Sequence, residues 1–315
     1  MSTTDLPADD PTAAALLRAV SGQFVLTRQI GSGGMGVVYL AWDEQLQRKV
    51  AIKTLPPHLA RDAQVRSRFL REARTAAALS HPNIVPIYSA AEREGVVYFA
   101  MGYVDGVSLA ERIARNGPMS PDDVVALLDQ LAAALGAAHA HGVVHRDVKA
   151  ENVLLDAATG RAMVTDFGIA RVTETQPLTA TGTVLGTVHY MSPEQVSGDA
   201  LDGRSDLYSL GVLAFFALTG RFPFERSTAS AVVVAHVNAP APRVSSLVGH
   251  VPPVLDALVA KLLSKSPHDR YADADALRAV LSSPDFHRHR IQEYREVGVP
   301  GTNTTAPTLL SSAEA

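Results

Sequence analysis

Two carboxylates and one amide stand at fixed offsets between short apolar runs in residues 144–168. Asp147 and Asn152 precede the apolar run 153–155, and Asp166 follows a second run, 162–164. The turn-forming residues between the two runs predict a tight β-hairpin, which would bring Asp147, Asn152 and Asp166 together. Oxygen ligands of this kind suit a hard cation such as Mg²⁺, whereas a chain without cysteine fits zinc poorly.

Each half of this pattern has a simpler interpretation when it is taken alone. His145-Arg146-Asp147 is equally consistent with a solvated turn, and residues 166–168 with an ordinary hairpin end. Their order and their spacing favour a catalytic centre, because the hairpin would place polar side chains of both triplets at one site.

A glycine-rich segment lies near the start, where Gly31, Gly33 and Gly36 separate the strand pattern 24–30 from the strand pattern 37–40. Glycines let the backbone approach phosphate oxygens closely and leave its N–H groups accessible. Dinucleotide-binding folds use the same spacing, but there the glycines open a helix. β-Branched and aromatic residues follow here, which predicts a glycine loop inside a β-hairpin.

Lys53 ends a strand pattern in which it shares a face with Ala51. A lone lysine at a strand end is usually solvated. The next helix, however, carries Glu72 on its apolar stripe, which consists of Val65, Phe69, Ala76 and Leu79. Burial of an unpaired carboxylate is costly, so we predict an ion pair between Lys53 and Glu72. The alternative is that Glu72 reaches solvent from the edge of the stripe.

Two further helices must position the central stretch. The first begins at the N-cap Ser120, stops at Gly142 and leads directly into residues 145–152; its buried stripe comprises Val124, Leu127, Leu128, Leu131 and Leu135. The second, residues 202–220, is apolar on every side, which is typical of a fully buried helix. We expect Asp206, near its start, to anchor the backbone of the loop that carries Asp147.

Composition restricts the class of protein. The 315 residues are 47% hydrophobic, which is enough for a large buried core, and the net charge of −4 gives no reason to expect nucleic-acid binding. The acidic start does not match a signal peptide, and the longest uncharged apolar run, 207–220, is shorter than the roughly 20 residues that span a bilayer. We therefore expect a cytoplasmic protein with no membrane span and no nucleic-acid partner.

These stretches together resemble the catalytic core of protein kinases, in particular the eukaryotic-like Ser/Thr protein kinases of bacteria. The resemblance covers about residues 23–281. It implies an α+β, bilobal fold, with a small five-stranded antiparallel N-lobe that carries one main helix and a larger, mainly helical C-lobe. It also implies an N-lobe of about residues 23–101, a hinge of residues 102–106 and a C-lobe of residues 107–281.

The chain outside this core is expected to contribute little to the fold. Residues 1–22 are predicted to be a mostly flexible or loosely docked extension, because their helical stretch is too short to be stable alone. Residues 282–315 are predicted to be a polar, partly disordered tail. Related kinases often continue into a membrane span and a sensor domain, and we expect neither here.

The resemblance assigns a role to each residue of the central stretch. Asp147 is implied as the base that orients and deprotonates a substrate hydroxyl, and Lys149 as the cation that neutralises the transferring phosphoryl group. Lysine two positions after the base also implies a Ser/Thr acceptor. Asn152 and Asp166 are implied as ligands of Mg²⁺, with Mn²⁺ left open.

The implied cofactor is ATP. In the kinase pattern Lys53 contacts the α- and β-phosphates, Glu72 holds Lys53 in place, and Met101 guards the rear of the adenine pocket. Gly102 departs from the acidic residue often found there, which is expected to loosen the hinge. The predicted nucleotide-binding residues are Ile30, Gly31, Gly33, Gly36, Val38, Ala51, Lys53, Met101, Tyr103, Val104 and Leu154.

A long Thr-rich segment after Asp166 is expected to act as a switch. By resemblance Thr179 and Thr181 match sites that are phosphorylated in bacterial relatives, and Thr187 matches the acceptor pocket. Arg146 supplies a cation beside the base that a phosphate could engage. Autophosphorylation would then activate the enzyme, and a homodimer that phosphorylates itself in trans is left open. Further along, Arg270 matches the family's buried partner of Glu194.

Two other functions compete with a Ser/Thr kinase that acts on proteins. A pseudokinase would use the fold only as a binding or scaffolding module, but Lys53, Asp147 and Asp166 are all present. A small-molecule phosphotransferase of similar fold is disfavoured by the Thr-rich segment and by residues 186–187 and 192–194, which serve protein acceptors in the family.

Overall fold

The N-terminal part of the computed structural model, which describes residues 11–33, 36–167 and 187–286, is built on a twisted antiparallel sheet. Its order is β1-β2-β3-β5-β4. The strands are β1 (Phe24–Gly33), β2 (Gly36–Asp43), β3 (Arg48–Thr54), β4 (Ile87–Arg93) and β5 (Val96–Gly102). Three helices accompany them: α1 (Pro11–Val20), α2 (Pro57–Ala60) and α3 (Ala63–Ala77).

Helix α3 packs on one face of this sheet. Its N-cap Asp62 accepts hydrogen bonds from the backbone N–H groups of Gln64 and Val65, so two of its unpaired N-terminal donors are satisfied. Its buried residues are Val65, Phe69 and Ala76, which belong to the predicted stripe, and Ala73, which does not. Phe69 packs on Phe99 of β5 with ring centroids 5.4 Å apart. The main helix of the sheet lobe is thus held by its apolar face.

Helix α1 covers the opposite face of the sheet. Leu16 and Val20 are fully buried there, in one apolar cluster with Tyr39, Ile52 and Tyr98. The predicted flexible or loosely docked extension therefore differs from the structure over residues 11–20. A ten-residue helix is marginal alone, but an apolar sheet face stabilises it once it docks.

The second lobe is mainly helical. Its helices are α4 (Leu109–Asn116), α5 (Pro121–Ala140), α6 (Pro193–Ser197), α7 (Gly203–Thr219), α8 (Ala229–Asn238), α9 (Pro253–Leu262) and α10 (Ala274–Leu281). Ser120 caps α5, as predicted, by accepting from the backbone N–H of Asp123. Nearly every residue of α7 is buried, and the helix ends at Gly220 in the left-handed conformation. Phe286, in the predicted tail, is buried against the same core.

Three short strands, β6 (Gly106–Ser108), β7 (Val153–Asp156) and β8 (Ala162–Val164), form a second antiparallel sheet at the junction of the lobes. β7 and β8 are the predicted hairpin. Its pairs run from Val153 opposite Val164 to Leu155 opposite Ala162. A five-stranded sheet lobe with one main helix on a helical lobe confirms the predicted α+β, bilobal fold.

Helix α5 is the one described helix that is long and apolar enough, by length and composition, to cross a membrane. Half of its most apolar stretch is buried inside the protein. Leu128, Leu131 and Leu135 lie in the main core with residues of α7 and α10. The core helix of a globular domain passes the same test.

Candidate active site

Asp147 lies buried at the centre of the loop between α5 and β7. Its Oδ2 accepts hydrogen bonds from Lys149 Nζ at 2.7 Å and from Asn152 Nδ2 at 3.0 Å. Its Oδ1 is also buried, and it has no hydrogen-bond partner among the residues that the structure describes. Burial of a carboxylate oxygen is favourable only when a donor forms a hydrogen bond to it. Oδ1 is therefore the atom that can accept a hydrogen bond from a substrate hydroxyl.

The loop's backbone is anchored by Asp206 in the first turn of α7, as predicted. Asp206 is fully buried, and its two carboxylate oxygens accept the backbone N–H groups of His145 and Arg146, each at 2.8 Å. His139 Nε2 lies 2.7 Å from the same carboxylate. Arg146 has a φ of 68°, in the left-handed region that is costly for a side chain of this size. The hydrogen bonds to Asp206 hold the loop in that conformation.

Asn152 and Asp166 come together at the open end of the β7–β8 hairpin. The backbone N–H of Thr165 donates to the carbonyl of Asn152 at 3.0 Å, which puts the two ligand candidates on neighbouring strand ends. Asn152 donates its amide N–H groups to Asp147, so the side-chain oxygen of Asn152 remains available as an acceptor. Asp166 Oδ1 is buried and has no hydrogen-bond partner in the described part of the chain.

These oxygen atoms fit a hard divalent cation. Mg²⁺ is usually held by one or two carboxylates and completes its shell with water and phosphate oxygens. No cluster of three or more His, Cys, Asp or Glu side chains that could hold a metal occurs in the described ranges.

Lys53 forms its short ion pair with Asp166, with Nζ 2.8 Å from Oδ2 and both side chains largely buried. Among the described residues, no ion pair joins Lys53 to Glu72, the partner that the sequence predicts. Glu72 does lie on the half-buried side of α3, between buried Phe69 and Ala73. The carboxylate that pairs closely with Lys53 in this structure is that of Asp166.

The predicted glycine loop lies between β1 and β2, with Gly31 paired to Val38 and Gly33 to Gly36. Gly36 has a φ of 127°, and a Cβ there would lie 1.8 Å from the carbonyl oxygen of Thr54. Only glycine fits that position. Residues 34 and 35 lie outside the described part of the chain.

Apolar residues predicted to contact the nucleotide meet in one cluster between the sheet and the β7–β8 hairpin. The structure brings together Ile30, Val38, Ala51, Met101, Val104 and Leu154. Tyr103 lies half-buried at the start of the hinge, with Lys49 Nζ 5.5 Å from its ring centroid. Met163, which sequence reasoning missed, joins the same cluster because it pairs with Leu154 in the hairpin. The pairing register was the signal that could have found it.

Behind Met101 is a small cavity that reaches Asp166 and Phe167. Thr165 Oγ1 donates to the Met101 sulfur at 3.8 Å. Phe167 is buried, and its ring centroid lies 4.5 Å from that of His145. Two rings therefore join the catalytic loop to the strand end that carries Asp166.

Gly102 is firmly packed as the last residue of β5. Its N–H donates to the carbonyl of Pro86 at 2.9 Å, and a Cβ would lie 3.1 Å from the Pro86 ring. Tyr88, with Arg48 stacked 3.6 Å from its ring centroid, closes the same side. A side chain at position 102 would therefore require the Pro86 ring to shift by a few tenths of an ångström.

The structure describes two of the four residues with a predicted regulatory role, Arg146 and Thr187. Arg146 is half-buried, and its Nε has no hydrogen-bond partner in the described ranges. Thr187 begins a short 3₁₀ turn, Thr187–Tyr190. Thr179 and Thr181 lie outside the described residues, as does Gly168.

A second missed residue, Gln195, ties α6 to the catalytic loop. Its Nε2 donates to the carbonyl of Arg146 at 2.8 Å, while its Oε1 accepts the N–H of Ser192. Ser192 and Gln195 form a capping box, which a Ser-x-x-Gln spacing can indicate. The reach to Arg146 depends on tertiary structure and leaves no sequence signal.

Glu194 and Arg270 form the predicted buried pair, with two hydrogen bonds of 2.6 and 2.8 Å. Burial alone would raise the pKa of Glu194, but hydrogen bonds from Arg270 and Ser205 outweigh it and lower that pKa. Arg270 also donates to the carbonyls of Arg204, Ser264 and Lys265. The pair therefore locks α6, next to the catalytic loop, onto the helical lobe.

The structure has a sheet lobe set on a helical lobe. At their junction it has a loop with the buried Asp147 and a hairpin whose open end leads to Asp166. This combination defines the protein kinase class. A model of the protein kinase domain family matches residues 24–282. The chain belongs to this family.

Bacterial kinases are similar to most of the chain. It is 40% identical over 278 residues to serine/threonine-protein kinase PrkC of Bacillus subtilis, which covers 88% of this chain and 43% of that protein. It is 43% identical over 298 residues to serine/threonine-protein kinase PknD of Mycobacterium tuberculosis, which covers 93% of this chain and 45% of that protein. The chain thus spans less than half the length of these two curated relatives.

Solved structures agree with the fold. The crystal structure of the M. tuberculosis PknI kinase domain matches with a TM-score of 0.67 at 29% identity. The match covers 82% of this chain and 95% of that domain. The likeness includes both lobes, which carry the site described above.

Proposed function

We propose that this chain is an ATP-dependent Ser/Thr protein kinase that transfers the γ-phosphoryl group to hydroxyl groups of proteins. The observation that carries the proposal is that Asp147 Oδ1 is buried and has no hydrogen-bond partner in the described part of the chain, while Lys149 donates to Oδ2. One oxygen of the Asp147 carboxylate can thus accept a hydrogen bond from a substrate hydroxyl, while the other holds the Lys149 ammonium next to it.

In this mechanism Asp147 Oδ1 accepts the hydrogen bond of the substrate hydroxyl, orients its oxygen and takes its proton as the phosphoryl group is transferred. Lys149 Nζ, fixed 2.7 Å from Oδ2, brings positive charge to the phosphoryl oxygens. Two hydrogen bonds from Asn152 to Asp147 fix the position of the base relative to this proposed metal ligand. Asp206 fixes the loop, so the reacting groups need little reorganisation.

Asn152 and Asp166 would hold Mg²⁺, or Mn²⁺, which supplies charge neutralisation on the nucleotide phosphates when bound. Lys53 would release Asp166 and contact the α- and β-phosphates, with Glu72 as its alternative partner. The adenine ring fits the apolar cluster of Ala51, Met101 and Leu154.

Acceptor class follows from Lys149 and from the relatives, which are named serine/threonine-protein kinases. Protein substrates that bear Ser or Thr are therefore the proposed partners. We further propose a kinase domain of about residues 23–281 that works in the cytoplasm. Activation by phosphate on Thr179 or Thr181, received by Arg146, whose Nε has no hydrogen-bond partner in the described ranges, is part of the same proposal.

The test is incubation of the purified protein with γ-labelled ATP, Mg²⁺ and a generic protein substrate, followed by mass-spectrometric mapping of the label. Label on Ser and Thr of the substrate is expected. Nucleotide binding without any transfer would favour the pseudokinase alternative. Transfer to small molecules but to no protein would favour the small-molecule phosphotransferase.

A further inference from the structure

Two side-chain amides, Asn83 and Gln130, join three elements of the fold. Asn83, in the loop after α3, is buried, and its Nδ2 donates to Gln130 Oε1 at 3.1 Å and to the carbonyl of Ala162 at 2.8 Å. Gln130 Oε1, on α5, also accepts the N–H of Ala162 at 2.9 Å. Both backbone groups of Ala162, the first residue of β8, are thus engaged by this amide pair.

The same loop pairs with β8 through its backbone. The N–H of Val164 donates to the carbonyl of Asn83 at 2.8 Å, and the N–H of Val85 donates to the carbonyl of Val164 at 2.9 Å. β8 is bonded on its other edge to β7. A three-residue strand is marginal alone, so these bonds fix where β8 ends.

The end of β8 leads, after Thr165, directly to Asp166. On the other side, the loop begins at the end of α3, the helix that carries Glu72, and Leu79 and Ile84 are buried in the core of the helical lobe. Asn83 therefore lies at the point where α3, α5 and the strand that bears Asp166 are joined.

We propose that Asn83 and Gln130 are positioning residues that set Asp166 for the metal–nucleotide complex. The proposal rests on the proposed function, in which Asp166 is a metal ligand. Neither amide touches the site. They act through β8, so a change in either should alter the engagement of Mg²⁺ with nucleotide before it alters the binding of a protein substrate.

The polarity of the contacts gives a sharp test. Asn83 acts as a donor in both side-chain bonds, whereas Gln130 acts as an acceptor in both. Gln130→Glu keeps the side-chain oxygen that accepts both hydrogen bonds, so the contacts survive. Asn83→Asp has nearly the same shape but replaces the donor with a carboxylate that faces two oxygen atoms. The two substitutions add the same charge and predict opposite outcomes.

The experiment measures the binding of a fluorescent ATP analogue as a function of Mg²⁺ concentration, together with thermal unfolding and the KM for a protein substrate. Asn83→Asp should raise the half-saturating Mg²⁺ concentration about five- to tenfold, the size expected for loss of a buried hydrogen bond. Gln130→Glu and the exposed control Asn238→Asp should stay within about twofold of wild type, and all three should keep the KM for the protein.

An Asn83→Asp protein with the wild-type Mg²⁺ requirement would overturn the proposal, and so would a Gln130→Glu protein as impaired as Asn83→Asp. If Asn83→Asp does not fold, Gln130→Ala removes the shared acceptor without a new buried charge and must raise the Mg²⁺ requirement. Because binding is measured without turnover, a wild type that binds Mg-nucleotide but phosphorylates no protein refutes the kinase activity alone. A wild type that binds no Mg-nucleotide refutes both.

Discussion

Lys53 Nζ lies 2.8 Å from Asp166 Oδ2, so the proposed phosphate-binding lysine is paired with the proposed metal ligand. Both groups must change partners when nucleotide and metal bind. Glu72 on α3 is the carboxylate that the sequence pairs with Lys53, and an exchange between the two acids would couple the position of α3 to occupancy of the site.

Substitutions of Lys53 and of Glu72 should lower turnover by different amounts. Lys53→Met removes a charge that contacts phosphate and should lower turnover by about 10²- to 10³-fold. Glu72→Gln removes the charge of the proposed alternative partner and should cost about tenfold, the size of one charge-assisted hydrogen bond. Steady-state kinetics with saturating ATP measures both, with Glu44→Gln as an exposed control. A Glu72→Gln enzyme with wild-type turnover would support a solvent-directed Glu72.

The base assignment predicts that Asp147→Asn lowers turnover by about 10²- to 10⁴-fold, the usual range for a positioned general base. Nucleotide affinity should change little, because Asp147 is assigned to the acceptor and not to the nucleotide. Turnover and the dissociation constant of ATP are measured on the same preparation, and Asp199→Asn, an exposed carboxylate, serves as control. Near-normal turnover of Asp147→Asn on a protein would show that the loop is assigned wrongly.

Self-activation predicts phosphate on Thr179 or Thr181 in the wild type and none in Lys53→Met expressed in the same way. The double variant Thr179→Ala, Thr181→Ala should phosphorylate protein more slowly, because Arg146 then lacks the phosphate that would tie the segment to the base loop. Thr173→Ala, Thr175→Ala is the matched control from the same segment. Mass spectrometry locates the phosphate, and initial rates of protein phosphorylation measure the effect of the double variants. A wild-type rate in Thr179→Ala, Thr181→Ala refutes the switch and leaves the kinase assignment intact.

Helix α8 should make the fold acid-sensitive through His236. Burial, together with the nearby Lys265 cation, lowers the pKa of His236 to about 3, and the hydroxyl oxygen of Tyr208 lies 2.9 Å from its Nδ1. Between the ordinary value of 6.5 and about 3, the unfolded chain binds the proton more readily. Stability therefore falls as pH drops through this window, by at most about 1.4 kcal/mol per pH unit for one proton.

Urea unfolding at pH 7.5, 6.5 and 5.5 measures this slope. His236→Gln should flatten it, whereas the exposed His250→Gln should not. Burial also lowers the pKa values of His81 and His189, so part of the slope should persist in His236→Gln. An unchanged slope in His236→Gln would contradict the buried, neutral state of this ring.

The sequence predicted the parts of the site that are local or periodic. The β7–β8 hairpin followed from two apolar runs and a turn, and Asp206 followed from its place at the start of an all-apolar helix. The partner of Lys53 could not be read in the same way, because Glu72 and Asp166 compete for it and only the tertiary arrangement decides. Gln195 was missed for a related reason, since its contact with Arg146 spans 49 positions.

Docking of α1 was missed because a short helix carries a weak signal and its stability comes from the surface it meets. The apolar character of Leu16 and Val20 was visible, but the receiving sheet face appears only when β1, β2, β3 and β5 are aligned. The predictions therefore hold best where neighbours in sequence are also neighbours in space.

The cover that α1 provides bears on how the protein behaves at high concentration. A shortened protein that began at Phe24, the start of the family match, would leave Leu26, Tyr39, Ile52 and Tyr98 without their cover. A contiguous apolar surface of that kind favours self-association and precipitation. We therefore expect a protein that retains residues 11–20 to be more soluble than one that begins at Phe24.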